Sequence, residues 1–426
     1  MGKISYPPFV QWEVTEICNH NCIHCYNYWR TDSQKACLSA DEDKIDMIAE
    51  RLISLHPISV TFTGGEPLAI FPRIRPAMQK LHSAGIDISI NTNGRLVNQE
   101  ICSFLSSIKA RALVSFLSSN NIIFDKIANT SGAMAEVTKA IKMLQQYNIP
   151  VSANIVLSKM NLPTLEGTIQ YIYSLGVSPQ ISLASLPINA HPSFSKQIID
   201  INDWKYILDV CSSLRQQKGI RISFTSCVPE CAFPTEKSQD IFHRNGCFAG
   251  IGAYAIDIQG NVKACARDSG TYGNILLDSF DIIYDAMKAW RDESMIPEEC
   301  DKCNLRLKCR GGCKMMLLSN TLKKHNLPSI CDCNQKQFVE PIKPGFCVQT
   351  NDIFALTPKA IFFQEKTCVR IQVGNKCTYV SQEFADWLTT HPRFAYFELQ
   401  QDCELPEARV KRAIYNLMEI KVLAKA

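Results

Sequence analysis

From residue 8 to about 226, short extended apolar segments alternate with amphipathic helical ones, and few folds satisfy that order. The strand candidates are FVQWEVTE, ISVTFTG, IDISINTN, ALVSFL, IPVSANIV and QISLAS. Between them, DEDKIDMIAERLISL (41–55) and AMAEVTKAIKMLQQY (133–147) carry apolar residues at helical spacing. Six such alternations imply an α/β fold, with parallel strands and crossover helices packed outside as a barrel or partial barrel. Chemistry in such sheets gathers at the C-terminal strand ends. FVQWEVTE runs directly into Cys18, which puts the cysteines that follow at that rim.

The chain has 426 residues, more than one compact core holds, and its character changes twice more. Residues 227–347 are loop-rich and carry eleven of the 20 cysteines, against two in 40–226. Metal cross-links would supply there what a small core cannot. That region has one fair helical stretch, SFDIIYDAMKAWRDE (279–293). In 350–426, TCVRIQVGNKCTYVS reads as two strands around a Gly-Asn turn. EFADWLTTH and PEARVKRAIYNLMEIKVL follow with helical period, together a small α+β, winged-helix-like module.

The net charge of +4 is spread without a basic block, which argues against a nucleic-acid partner. MGKISYPPFVQWEV has no apolar signal core, and no apolar run approaches the roughly 20 residues of a membrane span. The expectation is a cytoplasmic protein without a membrane partner, whose clustered thiols serve metal binding or catalysis rather than disulfides.

TEICNHNCIHCYNYW (15–29) gathers Cys18, Cys22 and Cys25. Zinc is the plainer assignment for Cys-x2-Cys. Three thiolates at a β/α rim also suit a cubane 4Fe–4S cluster, with one iron left for a small ligand. The Cys-x3-Cys-x2-Cys spacing, with His24 before the last cysteine, resembles the radical S-adenosylmethionine (radical SAM) superfamily. TFTGGEP (61–67), NTNG (91–94) and Ser115 follow at successive strand ends, as in that family. The resemblance implies that Gly64, Gly65 and Glu66 meet the SAM amino group, with His24, Asn93 and Ser115 also in the cofactor site. It further implies cleavage of the SAM C5′–S bond to a 5′-deoxyadenosyl radical, with an external electron donor of the flavodoxin or ferredoxin type.

A second pattern runs Cys247-x12-Gly260-x4-Cys265, then Cys300-x2-Cys303-x5-Cys309-x3-Cys313 and Cys331. It is similar to the SPASM extension of radical SAM enzymes, which holds two auxiliary 4Fe–4S clusters, three clusters in all. By that likeness Cys300, Cys303, Cys309 and Cys331 hold the outer cluster, and Cys247, Cys265 and Cys313 the inner one. Cys231 or Cys227 supplies the last inner ligand, or the site is open, and Cys333 is an alternative to Cys331. A zinc ribbon over 300–313 is the competing assignment.

The expected domains are therefore a radical SAM partial (β/α)6 barrel (1–226), a SPASM domain (227–347) and the winged-helix-like module (350–426). Strands followed by helices in that module resemble the peptide-recognition element of ribosomal-peptide maturases, where a leader peptide adds a strand to a sheet edge. The leading expectation is an enzyme that installs an oxidative crosslink in a precursor peptide, nearest to the cyclophane-forming enzymes. A sulfatase maturase forming formylglycine is one alternative, and a cluster- or zinc-bearing scaffold another. Cys102 and Cys211 read as buried hydrophobes, and Asp125 as a solvated or capping residue rather than a base.

Overall fold

A computed structural model describes residues 6–27, 38–184, 196–229, 246–301, 303, 306–318, 352–364, 369–373, 376–402 and 407–425. The chain divides into two compact units, Pro7–Gln337 and a second formed by Phe338–Ala426 with Met1–Tyr6.

The larger unit is built on one nine-stranded sheet. β1 (Phe9–Thr15), β2 (Ser59–Gly64), β3 (Asp87–Thr92), β4 (Arg111–Ser115), β5 (Val151–Leu157) and β6 (Ser178–Leu183) fall on the six expected segments. The helices are α1 (Glu42–Leu55), α2 (Phe71–Ser83), α3 (Gln99–Ser107), α4 (Asn121–Ala128), α5 (Ala133–Gln146), α6 (Leu165–Ser174) and α7 (Ile201–Lys218). α1 begins where the Asp41 side chain accepts from Lys44 N–H and ends at His56 in the left-handed region. Its stripe of Ile45, Ile48, Ala49, Leu52 and Leu55 is buried, each large aliphatic contributing about 1.5–3 kcal/mol.

Of the two readings open for Asp125, solvated or capping, the structure shows the cap. Its carboxylate accepts from Gly132 and Met134 N–H at 2.6 and 3.2 Å, at the start of α5. Cys102 and Cys211 are fully buried.

Three strands lie beyond the six: β7 (Ser223–Phe224), β8 (Ala253–Ile256) and β9 (Val262–Lys263). The order β7-β6-β5-β4-β3-β2-β1-β8-β9 is parallel except for β9. The sheet thus crosses the boundary expected at residue 226, because β8 pairs with β1 from Phe9↔Ala253 to Trp12↔Ile256. Trp12, Glu13, Val14 and Thr15 are all buried, as a strand with neighbours on both sides and cover on both faces requires. Lys263 of β9, fully buried, donates to Glu13 of β1 at 2.5 Å. Burial pushes the Glu13 carboxyl up to about 7 against the pull of Lys263.

The β8–β9 turn explains the glycine of the second cysteine pattern. Gly260 has φ +83°, and Asp257 accepts from the Gln259 and Asn261 N–H groups around it. YGNI closes on the same turn through Ile275 N–H to Gly260 O at 2.8 Å. The 279–293 stretch is two helices, α8 (Phe280–Ala286) and α9 (Lys288–Arg291), broken at the buried Met287. α10 (Arg306–Cys309) and α11 (Lys314–Leu318) follow.

The smaller unit holds two three-stranded antiparallel sheets. β10 (Ile353–Leu356), β11 (Ile361–Gln364), β12 (Val369–Val373) and β13 (Lys376–Val380) precede α12 (Gln382–Thr390), β14 (Arg393–Ala395), α13 (Tyr396–Asp402), α14 (Glu407–Glu419) and β15 (Leu423–Lys425). The sheet orders are β14-β10-β15 and β11-β12-β13. Phe354, Ile371, Leu388, Phe394, Ile414 and Leu423 share one core. Among the described residues, no helix is long and apolar enough to cross a membrane.

Candidate active site

The loop after β1 is held by its backbone. Gly65 and Glu66 N–H donate to Thr15 O and Ile17 O at 2.6 and 2.7 Å, and Asn21 and Ile23 N–H donate to Ala128 O and Ile127 O. The second pair uses carbonyls that the end of α4 leaves over. A side chain at Gly65 has no room, since a Cβ there would stand 2.1 Å from Ile17 O. The glycines of GGEP therefore let the cysteine loop lie directly on the end of β2.

Glu66 is 1% exposed and fully engaged. Oε1 accepts from Thr92 Oγ1 at 2.8 Å and Leu68 N–H at 3.1 Å, and Oε2 accepts from Asn93 N–H at 2.8 Å. Burial pushes its carboxyl up to about 7, against the hydrogen bonds from Asn93, Thr92 and Leu68. The sequence offered Glu66 as a partner for an ammonium, whereas its carboxylate here ties together the ends of β2 and β3. Asn93 extends the tie, donating from Nδ2 to Asn19 Oδ1 at 2.7 Å and to Cys18 Sγ at 3.8 Å. Asn27, whose Nδ2 donates to Gly64 O at 3.0 Å, was not singled out in the sequence and has no distinguishing spacing, and Thr92 was covered by NTNG without a role of its own.

A cavity of about 590 Å³ opens over these strand ends. Cys18, Cys22, Cys25, His24, Gly64, Gly65, Glu66, Asn93 and Ser115 all line it. So does Asn154 of β5, opposite Ser115 in the ladder. Its Oδ1 is buried without a hydrogen-bond partner, while its Nδ2 donates to Ser182 Oγ at 3.0 Å. This buried acceptor beside the cavity suits a ligand hydroxyl or amine.

The second cysteine group reaches the same cavity through Cys227, Cys247, Cys265 and Cys313. Cys227 hydrogen-bonds to Cys247, whose sulfur also accepts from the Ala249 and Lys314 N–H groups; together these hold the Cys247 thiol below its usual range. The Cys265 sulfur accepts from Arg267 N–H, and that of Cys313 from Met316 and Met315 N–H. Burial pushes Cys265 up to about 12 and raises Cys313 as well. Buried thiols with N–H donors aimed at sulfur suit thiolates held by a metal, whose binding expels the protons.

Among the described residues, no three His, Cys, Asp or Glu side chains stand close enough to hold a single metal ion. A ready-made zinc site, with sulfurs about 3.8 Å apart, is thus absent there. Cys300, Cys303 and Cys309 lie in one turn-rich stretch, in which Cys303 N–H donates to Cys300 O and Arg306 N–H to Cys303 O. Cys231, Cys331 and Cys333 fall outside the described residues.

Residues 12–172 match the model of the radical SAM superfamily. The chain carries a radical SAM domain. It is 24% identical over 326 residues to an AdoMet-dependent heme synthase of Methanosarcina barkeri, across 72% of this chain and 90% of that protein. Similarity to the antilisterial bacteriocin subtilosin biosynthesis protein AlbA of Bacillus subtilis is 22%, across 80% of this chain and 74% of AlbA. In fold it is similar to Streptococcus suis SuiB bound to its precursor peptide SuiA, with TM-score 0.59, 15% identity and coverage of 77% and 76%. The radical SAM domain makes the chain an enzyme that uses SAM and a 4Fe–4S cluster. Three thiols at the cavity rim, backed by glycines that no side chain can replace, fit those two groups.

Proposed function

We propose that this radical SAM enzyme is a peptide maturase that installs an oxidative crosslink in a ribosomally made precursor peptide. The observation that carries the proposal is one cavity lined by two cysteine groups from distant parts of the chain. AlbA and SuiB, named for bacteriocin biosynthesis and solved with a precursor peptide, support the substrate class.

In this reading Cys18, Cys22 and Cys25 hold the SAM-binding cluster, which when reduced supplies the electron that splits the SAM C5′–S bond. Gly64, Gly65 and Asn93 would bear on the methionine end of SAM, while Glu66 keeps their strand ends in register. His24, Ser115 and Asn154 would face the remainder of the ligand. The cavity's task is enclosure and aim, holding one target hydrogen beside the radical carbon and excluding water. Cys227, Cys247, Cys265 and Cys313 would hold an auxiliary cluster, a one-electron acceptor suited to net oxidation. Cys300, Cys303 and Cys309 would hold a further one with Cys331. We therefore expect Cys227→Ala to lose about four irons per chain by iron and sulfide assay. Cys231→Ala should lose none.

The β13 edge is proposed to receive the leader peptide as an added strand. The electron donor is taken as a flavodoxin or ferredoxin, the compartment as the cytoplasm, and the bond as a C–C, C–S or C–O crosslink, a cyclophane among them. Anaerobically reconstituted protein, reduced with SAM, should form 5′-deoxyadenosine. A co-expressed precursor peptide should lose two hydrogens per event by mass spectrometry. Formylglycine in a sulfatase peptide would instead support the sulfatase alternative, and no 5′-deoxyadenosine at all would leave the scaffold. A second reading, tetrapyrrole synthesis, draws on the heme synthase relative aligned over 90% of its own length. Turnover of a porphyrin with inert peptides would establish it.

A further inference from the structure

Two cations stand against the second cysteine group, and among the described residues no carboxylate forms an ion pair with either. Lys314, next to Cys313, is 0% exposed, yet its ammonium donates only to the neutral Trp290 carbonyl and lies over the Trp290 ring at 5.6 Å. Its charge acts on Cys247, and the other charges that reach it, Arg310 and Asp292, are of opposite sign to one another. Arg267, two residues after Cys265, lines the cavity with its guanidinium 5.9 Å from the centre of the Tyr26 ring. The same cavity is lined by Cys227, Cys247, Cys265 and Cys313, and the Arg267 N–H donates to the Cys265 sulfur. Both residues thus stand at the four-cysteine end of the cavity, and neither has an ion-pair partner among the described residues.

Burying a cation away from any anion costs several kcal/mol. The arrangement is stable when the missing anion is one the chain binds. Four thiolates around an iron–sulfur core carry net negative charge, more in the reduced form than in the oxidised. A fixed positive charge nearby, together with N–H donors to the sulfurs, favours reduction.

We propose that Arg267 and Lys314 are the counter-charges of a cluster on Cys227, Cys247, Cys265 and Cys313, and that they hold its reduction potential up. The cluster itself rests on the function proposed above. Both residues act through the cluster rather than on substrate, so the effect is read as a potential and not as activity.

The test is an EPR-monitored redox titration of full-length protein in a Cys18→Ala/Cys22→Ala/Cys25→Ala background, which leaves the other cysteines intact. Arg267→Gln and Lys314→Met should each lower the midpoint of this cluster's signal, and the double variant by about the sum. Arg267→Lys and Lys314→Arg, which keep the charge, should restore it. Unchanged midpoints at full iron content would overturn the proposal. Should Lys314→Met fail to fold, the partly buried Arg267 pair decides alone. If the background protein holds no iron that Cys247→Ala removes, the cluster reading has failed instead.

Discussion

Gly65 concentrates the site's geometric demand in one missing methyl group. A Cβ 2.1 Å from Ile17 O cannot be relieved by a rotamer, because the obstacle is backbone. Gly65→Ala is therefore expected to displace the cysteine loop and cost the SAM-binding cluster, about four irons per chain by iron assay, with unchanged far-UV circular dichroism. Glu66 gives a pH signature of its own. Its folded pKa, about 7, stands above the usual glutamate value of 4.5, so between them the folded state binds more protons than the unfolded one. Stability conferred by the neutral carboxyl is full below about 4.5 and lost as pH rises towards 7. Glu66→Gln removes that titration and also loses one or two hydrogen bonds. Its penalty in urea unfolding should accordingly shrink by up to ~3 kcal/mol from pH 4.5 to 7 and then level off. The sequence made Gly65 and Glu66 conspicuous through GGEP. The service of both to the loop backbone was hidden, because the partner carbonyls of Thr15 and Ile17 have no residue signature.

At the scale of elements, segments with several residues of consistent period were legible. β1 to β6, α1 and α5 fall within a residue or two of their expected bounds. β8, β9, β10, β14 and β15 are two to four residues long, and all but β9 pair with distant segments, so no local period could reveal them. β13 was legible as a strand and, among the described residues, is an edge of its sheet. Two residues separate Val373 from Lys376, which makes that pair the hydrogen-bonded closing pair and turns the Cys377 N–H outward. If the leader peptide adds there, Cys377→Pro should weaken peptide binding at least tenfold by fluorescence anisotropy, at unchanged iron content and thermal midpoint. Equal affinity would leave the edge without that role.

For the whole molecule, α/β architecture and the first cysteine loop could be read from order and spacing, since both repeat a local rule. That both cysteine groups share one cavity could not, because convergence depends on β8 pairing with β1. Among its described residues, the stretch 246–318 has β8, β9, four short α-helices and one 3-10 turn (Glu298–Cys300) of regular structure. Metal should therefore carry much of its order. Anaerobic removal of iron is expected to open this stretch to limited proteolysis first, with peptides from β1–β6 released later by mass spectrometry. Simultaneous release would mean that its fold does not lean on metal.

β1 is bonded to β2 along one side and to β8 along the other, and its end delivers Cys18. The hairpin that delivers Cys265 is thus fastened to the strand that delivers Cys18, with no hinge between them. Inserting a single residue in β1 would break register with both neighbours at once and turn Glu13 away from Lys263. A lineage can redesign the loops of such an enzyme freely, but the separation of its two sulfur nests is inherited as a fixed length of β-ladder.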